Sequence, residues 1–331
     1  MEKALIQKRT REVLEKADKP KEFTKGLQGL LKSYVDRDAT KNYKRIIPDT
    51  GKFFGVPLPI LRVISAEIGK FIQKEPTKAL ALLETIWNEG SFEARQISGK
   101  SLEKFAPKNL KICLDFVSSV LSDLDNWAVC DNLAMFGVEP IVYSNPELVL
   151  PLSEKWIKNE NKWVRRFGVV SLRGYKRVQT TDKVFEILDT VMEDEDKDVK
   201  KAVSWILREI TKKNPEDVAE FLARWVKANP SKDARWIIKD GMKKLPKKIQ
   251  EEVLKKLMSS KLVIKSYQPK SILNVQKHID GGWFWVKYSA FPYLGCQYGC
   301  EYCYWRDEKY NPHKPSRDPG VLEFEDAFSQ Y

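Results

Sequence analysis

The sequence predicts an all-α protein, a solenoid of stacked helical hairpins followed by a short mixed or irregular tail. Three observations carry this. From Pro76 to about Ser260 apolar residues recur at helical spacing, interrupted only by short breaks at Pro107, Pro146, Thr180 and Asp182, Pro215, Pro230 and Pro246. The second helix of each hairpin is expected to start near Ser91, Asp125, Asn161, Lys197 and Ser231, at intervals of 34, 36, 36 and 34 residues. Such a period marks hairpins that bury their apolar stripes against their neighbours and leave a concave face. Beyond Lys261 the texture changes: Ile264 to Pro269 reads as a linker and Trp283 to Tyr288 as a strand rich in β-formers.

Taken in order, residues 1–45 carry 13 Lys or Arg against 7 Asp or Glu in an amphipathic helical pattern, half of the chain's net charge of +12. Two readings of this basic start stand: a solvated helix face, or a helix pair along a phosphate backbone. Phe53-Phe54-Gly55-Val56-Pro57-Leu58-Pro59 then breaks the helical pattern, so a turn opening the next helix is expected. With 42% apolar and 11% aromatic residues in 331, the chain can bury a real core, which excludes a disordered protein.

No run of about 18 apolar residues and no apolar N-terminal segment is present, so neither a membrane span nor a signal peptide is expected, and the chain reads as cytoplasmic. Cys113 and Cys130 fall singly in helical patterns, so no disulfide framework is implied.

The stretch Asp125-Asn126-Trp127-Ala128-Val129-Cys130-Asp131-Asn132-Leu133 is the chemical centre. On a helix, Trp127 and Asp131 lie one turn apart on one face, placing an indole and a carboxylate in one patch. A buried unpaired carboxylate costs several kcal/mol, so Asp131 faces a wet groove, pairs with an Arg, or awaits a cation. The plain alternative is a core tryptophan next to a surface acid. Two later pairs repeat the theme, Trp163 with Arg166 and Trp205 with Arg208, each three residues apart.

FFGVPLPILR at 53–62, NWAVCD at 126–131, NKWVRRFG at 161–168 and AVSWILREITKKNP at 202–215 together resemble the alkylpurine DNA glycosylases of the AlkD type, which are built from HEAT-like helical repeats. The resemblance implies a glycosylase domain over residues 1–260, acting as a monomer on double-stranded DNA without a cofactor. It implies Asp131 as the catalytic carboxylate and Trp127 and Trp205 as aromatic walls beside the damaged nucleotide. Arg166 and Arg208, with Arg165 beside them, become phosphate-side contacts, and Tyr43 an aromatic of the lesion cleft. The substrates implied are cationic purines alkylated at N3 or N7, held in a wide cleft and contacted through the backbone.

In residues 261–331, Cys296, Cys300 and Cys303 form a C-x3-C-x2-C set with Tyr302 before the last Cys. This resembles the cluster loop of radical S-adenosylmethionine enzymes of the spore-photoproduct-lyase-like branch, and it implies a [4Fe-4S] cluster. Zinc with His313 as fourth ligand is the alternative. Only 28 residues follow Cys303, whereas a β/α barrel needs roughly 200 or more, so a truncated segment without radical chemistry is expected. Three functions therefore compete: the glycosylase, a non-catalytic repeat scaffold binding DNA or protein, and an iron–sulfur radical protein with a repeat appendage.

Overall fold

The computed structural model describes residues 2–47, 51–177, 181–228 and 230–259, and five short strands between 263 and 325. Sixteen α-helices are described. They are α1 (Glu2–Leu14), α2 (Pro20–Lys32), α3 (Arg37–Ile46), α4 (Leu58–Lys74), α5 (Pro76–Asn88), α6 (Phe92–Ser101), α7 (Leu110–Val120), α8 (Trp127–Leu133), α9 (Glu139–Ser144), α10 (Pro146–Ile157), α11 (Lys162–Ser171), α12 (Thr181–Asp189), α13 (Lys197–Thr211), α14 (Pro215–Lys227), α15 (Lys232–Gly241) and α16 (Lys247–Ser259). None is long and apolar enough to cross a membrane.

Proline sets many of the starts. Pro20, Pro76, Pro146 and Pro215 each open a helix, where the missing N–H costs nothing because the first turn has no intrahelical acceptor. Side-chain caps set the others. Ser91, Asn126, Asn161, Asp196 and Ser231 each accept the backbone N–H of Ala94, Val129, Trp163, Val199 and Ala234 respectively. These caps stand 35 residues apart throughout, so the expected starts at Asp125 and Lys197 each miss the cap by one residue. The repeat is more regular than the apolar pattern suggested.

Residues 1–222 and 230–246 form one compact unit, an α-α superhelix of HEAT-like hairpins. In it α1, α4, α6, α8, α11, α13 and α15 pack each on the next as one row. The other row includes α2, α5, α7, α10 and α12. Gly168 lets the rows approach, since a Cβ there would lie 2.9 Å from the backbone nitrogen of Ile157 in α10. The core holds large fully buried side chains such as Trp87, Phe105, Phe116, Phe167 and Tyr175.

The helix that begins at Trp127 continues through a π-turn, Ala134–Val138, into α9. A π-turn leaves backbone acceptors out of the regular ladder. The buried Cys113 thiol donates to the Gly137 carbonyl at 3.2 Å, which gives that cysteine a role beyond filling space.

Residues 223–229 and 247–331 make up a second unit. Its described part is the C-terminal end of α14 and α16, with strands β1 (Val263–Tyr267), β2 (Leu273–Val275), β3 (Tyr288–Ala290), β4 (Tyr293–Gly295) and β5 (Val321–Glu325). β5 pairs parallel to β1 and antiparallel to β4, while β2 pairs with β3. The segment expected as a linker is thus a strand over Val263–Tyr267, its Val, Ile and Tyr favouring extended backbone. Most of the strand expected over Trp283 to Tyr288 lies outside the described residues.

Candidate active site on the second helices

The site begins with a turn held by one carboxylate. Glu93, fully buried at the start of α6, accepts the backbone N–H groups of Phe54 at 3.0 Å, Gly55 at 2.6 Å and Val56 at 3.1 Å. Gly55 is required here: its φ is +90°, and a Cβ would lie 2.0 Å from the Thr40 hydroxyl. Tyr43 donates its hydroxyl to the Val56 carbonyl at 2.7 Å and packs against Phe92 at 5.1 Å. It is therefore a buried strut between α3 and the turn, and burial next to Glu93 raises its hydroxyl pKa well above the ordinary range. The last carbonyl of α3, on Ile46, receives the Trp127 indole N–H at 3.4 Å.

Asp131 lies one turn beyond Trp127 on α8, and it is buried. Arg166 of α11 grips it with two parallel bonds, Nε to Oδ1 at 2.8 Å and Nη2 to Oδ2 at 2.7 Å. The third nitrogen of the guanidinium, Nη1, donates to the Asp198 carbonyl at 2.5 Å. Both arms of the fork are filled, which suits the planar five-donor geometry of arginine. Of the three settings open to Asp131, the structure selects the arginine partner. Burial is the largest influence on its carboxyl and pushes it up; the Arg166 bonds and charge pull it back, Asp198 adds to the rise, and the net shift is upward.

The other two arginines also have protein acceptors. Arg165 forks onto Asp194 at 2.7 and 3.3 Å and donates to the carbonyls of Asn159 and Glu160. Arg208 binds the Asp240 carboxylate, and its Nη1 also reaches the Asp240 carbonyl at 3.2 Å and the Ser204 hydroxyl at 3.3 Å.

Trp205, half-buried on α13, is backed by the Arg173 guanidinium 5.6 Å from its ring. Arg173 belongs to a second charged cluster that sequence reading passed over. It donates to Glu139, lies 3.5 Å from Glu209, and shares Glu209 with Lys176 at 3.0 Å and with Lys212. Burial would raise Glu209, but the lysine bonds outweigh it and hold the carboxyl at about 2. A cavity of about 560 Å3, lined by Phe136, Tyr143, Arg173 and Arg177 among others, opens against this cluster.

The family model described as DNA alkylation repair enzyme matches residues 27–245. The chain belongs to the DNA alkylation repair enzyme family. The solved structure of a predicted DNA alkylation repair enzyme from Enterococcus faecalis is similar in fold, with a TM-score of 0.55 at 20% identity, over 64% of this chain and 97% of that one. AlkD2 from Streptococcus mutans matches at 19% identity with a TM-score of 0.45, over 63% of this chain and 98% of that one. No curated protein sequence matches.

The stretch matching the DNA alkylation repair family covers Tyr43, Trp127, Asp131, Arg165, Arg166, Trp205 and Arg208, and ends just short of Pro246, where the first unit ends. Cys296, Cys300 and Cys303 lie beyond that match and outside the described residues. Among the residues that sequence reading missed, Glu93 had a signal, since a turn of backbone N–H groups without helical acceptors calls for a buried one. Glu139 and Glu209 had another: each falls 13 residues after its cap, at Asn126 and Asp196.

Proposed function

We propose that this DNA alkylation repair protein is a glycosylase that releases cationic N3- and N7-alkylated purines from duplex DNA. One observation carries the reading: a buried carboxylate, Asp131, is held in fixed orientation by Arg166 one helical turn from the half-exposed Trp127. In an alkylated purine the ring already carries a positive charge. The bond from the sugar C1′ to N9 breaks with its electron pair going to the base, which leaves neutral. The positive charge passes to the sugar, water adds at C1′, and a proton is lost to solvent.

Asp131 opposes the charge growing on the sugar, as a carboxylate does in glycoside cleavage. At an effective dielectric near 20, a unit pair at about 4 Å is worth roughly 4 kcal/mol, about three decades in rate. Arg166 offsets part of that field but keeps the carboxylate ionised and aimed. Trp127 and Trp205 attract the cationic base by about 0.5 to 2 kcal/mol each. The two His of the chain are His278 and His313, both outside residues 1–260, so no imidazole of the repeat domain protonates a neutral leaving group. Discrimination then follows from the charge of the lesion.

The bidentate pairing also favours a rival reading, in which Asp131 and Arg166 only tie two repeats together and the protein is a DNA-binding scaffold. Incubation with methylated duplex DNA separates the two. Release of free 7-methylguanine and 3-methyladenine, strongly reduced in Asp131→Asn, is expected; no release by the natural chain rejects the glycosylase. For the C-terminal segment the cysteine spacing supports a [4Fe-4S] cluster, checked by anaerobic reconstitution and its visible absorption, with zinc at full occupancy as the contrary result.

A further inference from the structure

The 35-residue register assigns a place to side chains that no expectation covered. The first residue after each cap is Phe92, Trp127, Lys162, Lys197 or Lys232, and the fifth is Gln96, Asp131, Arg166, Lys201 or Trp236. First and fifth residues share a helix face. Equivalence is visible in the bonds as well: Gln96 donates to the Ala128 carbonyl at 2.9 Å just as Arg166 donates to Asp198, each reaching the second residue after the next cap. The face that carries Trp127 and Asp131 on α8 therefore carries Lys197 and Lys201 on α13, and Lys232 and Trp236 on α15.

Two features separate this end of the row from the centre. Lys197, Lys201 and Lys232 are exposed and have no carboxylate partner among the described residues, whereas Arg165, Arg166 and Arg208 are all engaged. The carboxylates closest in register are already matched, Asp233 by Lys200 and Asp196 and Asp198 by Lys162. The second feature is Trp236, 41% exposed and the most exposed aromatic among the described residues. An uncovered indole bordered by unmatched ammonium groups suits a polyanion that also offers flat apolar surface. Duplex DNA does both, with phosphates for the lysines and deoxyribose faces or base edges for the ring.

We propose that α13 and α15 form a gripping surface for duplex DNA in which Lys197, Lys201 and Lys232 neutralise phosphates and Trp236 packs on the sugar–phosphate strand. This rests on the reading above that the row faces DNA, and it assigns the grip to residues separate from the lesion site. The grip is indifferent to damage, so it sets affinity and leaves the bond-breaking step alone.

The test uses the full chain and two duplexes of one sequence, one undamaged and one carrying a single 7-methylguanine. Trp236→Ala should weaken binding to both by about tenfold, and Trp236→Phe should restore most of it, as expected for loss and retention of an aromatic platform. Lys201→Ala and Lys232→Ala should each lower the slope of log affinity against log salt by about one, while Lys155→Ala on α10 leaves it unchanged. Single-turnover base release at saturating protein should stay within about twofold of the natural chain in every variant. Binding by Trp236→Ala within twofold of the natural chain, or unchanged salt slopes in both lysine variants, overturns the proposal. If the natural chain binds as described but releases no base, the glycosylase reading fails while the grip stands. If it releases base and Trp236→Ala binds normally, the grip fails alone.

Discussion

Asp131 and Glu209 are both buried carboxylates that join neighbouring repeats, and their surroundings drive them in opposite directions. Asp131 has one cation, Arg166, with the Asp198 carboxylate close enough to oppose it, and its carboxyl is pushed up. Glu209 has Lys176, Lys212 and Arg173, and its carboxyl is held at about 2. The same residue chemistry thus yields a fastener on α13 and an electrostatically underprovided carboxylate on α8, at the centre of the row. A group with a deficit of cations interacts favourably with a positive charge brought near it, and a group already surrounded by three does not. This contrast supports Asp131 rather than Glu209 as the group that faces a cationic substrate.

The largest expected effect comes from removing the charge of the underprovided carboxylate. Asp131→Asn should lower base release by two to three decades. It also leaves the Arg166 guanidinium with one acceptor fewer, so the melting temperature should be read beside the rate; full activity in this variant would break the contrast. Arg166→Ala should cost about 3–5 kcal/mol of stability, because a buried carboxylate loses its only cation. Chemical denaturation measures it, and a loss below about 1 kcal/mol would show that Asp131 reaches solvent.

Acid sharpens the comparison. Asp131 must be ionised to oppose the sugar charge and its carboxyl lies above the ordinary value, so base release should fall with decreasing pH before ordinary carboxylates titrate. Glu209 has the opposite sign. Its folded value of about 2 is below the unfolded value of about 4.3, so its stabilisation is complete above that range and is lost as pH falls toward 2. Glu209→Gln should therefore flatten the stability–pH curve between about pH 5 and pH 2 and leave the pH dependence of base release unmoved. The smallest effects should come from the walls: Trp127→Ala and Trp205→Ala should each reduce base release by about 30-fold or less, the worth of one cation–π contact.

Some of this was legible in the chain. Helix caps act through their own first turn, so Ser91, Asn126, Asn161, Asp196 and Ser231 carry their positional information locally, and the 35-residue period needs nothing else. The apolar stripes fixed the helical class for the same reason, and the FFGV turn followed from Gly55 and its prolines. Trp127 and Asp131 share a face because they are four residues apart on one helix. These are short-range facts, decided by neighbours in sequence.

What tertiary structure decided was the partner of each charge. Arg166 can bond a phosphate or a carboxylate equally well, and only the stacking of α11 on α8 sets Asp131 within 2.8 Å of it. The tertiary packing likewise turned Tyr43 inward onto Val56, committed Arg165 to Asp194 and Arg208 to Asp240, and brought Arg173 and Lys176 to Glu209 beside its sequence neighbour Lys212. Electrostatic interactions depend on separation in space and on burial, and for Asp131–Arg166, Arg165–Asp194 and Arg208–Asp240 both are set by packing between segments 29 to 35 residues apart in the chain. Residue types and period therefore determined the fold and the carboxylate–indole face, whereas packing between repeats determined which charges are satisfied and which remain available.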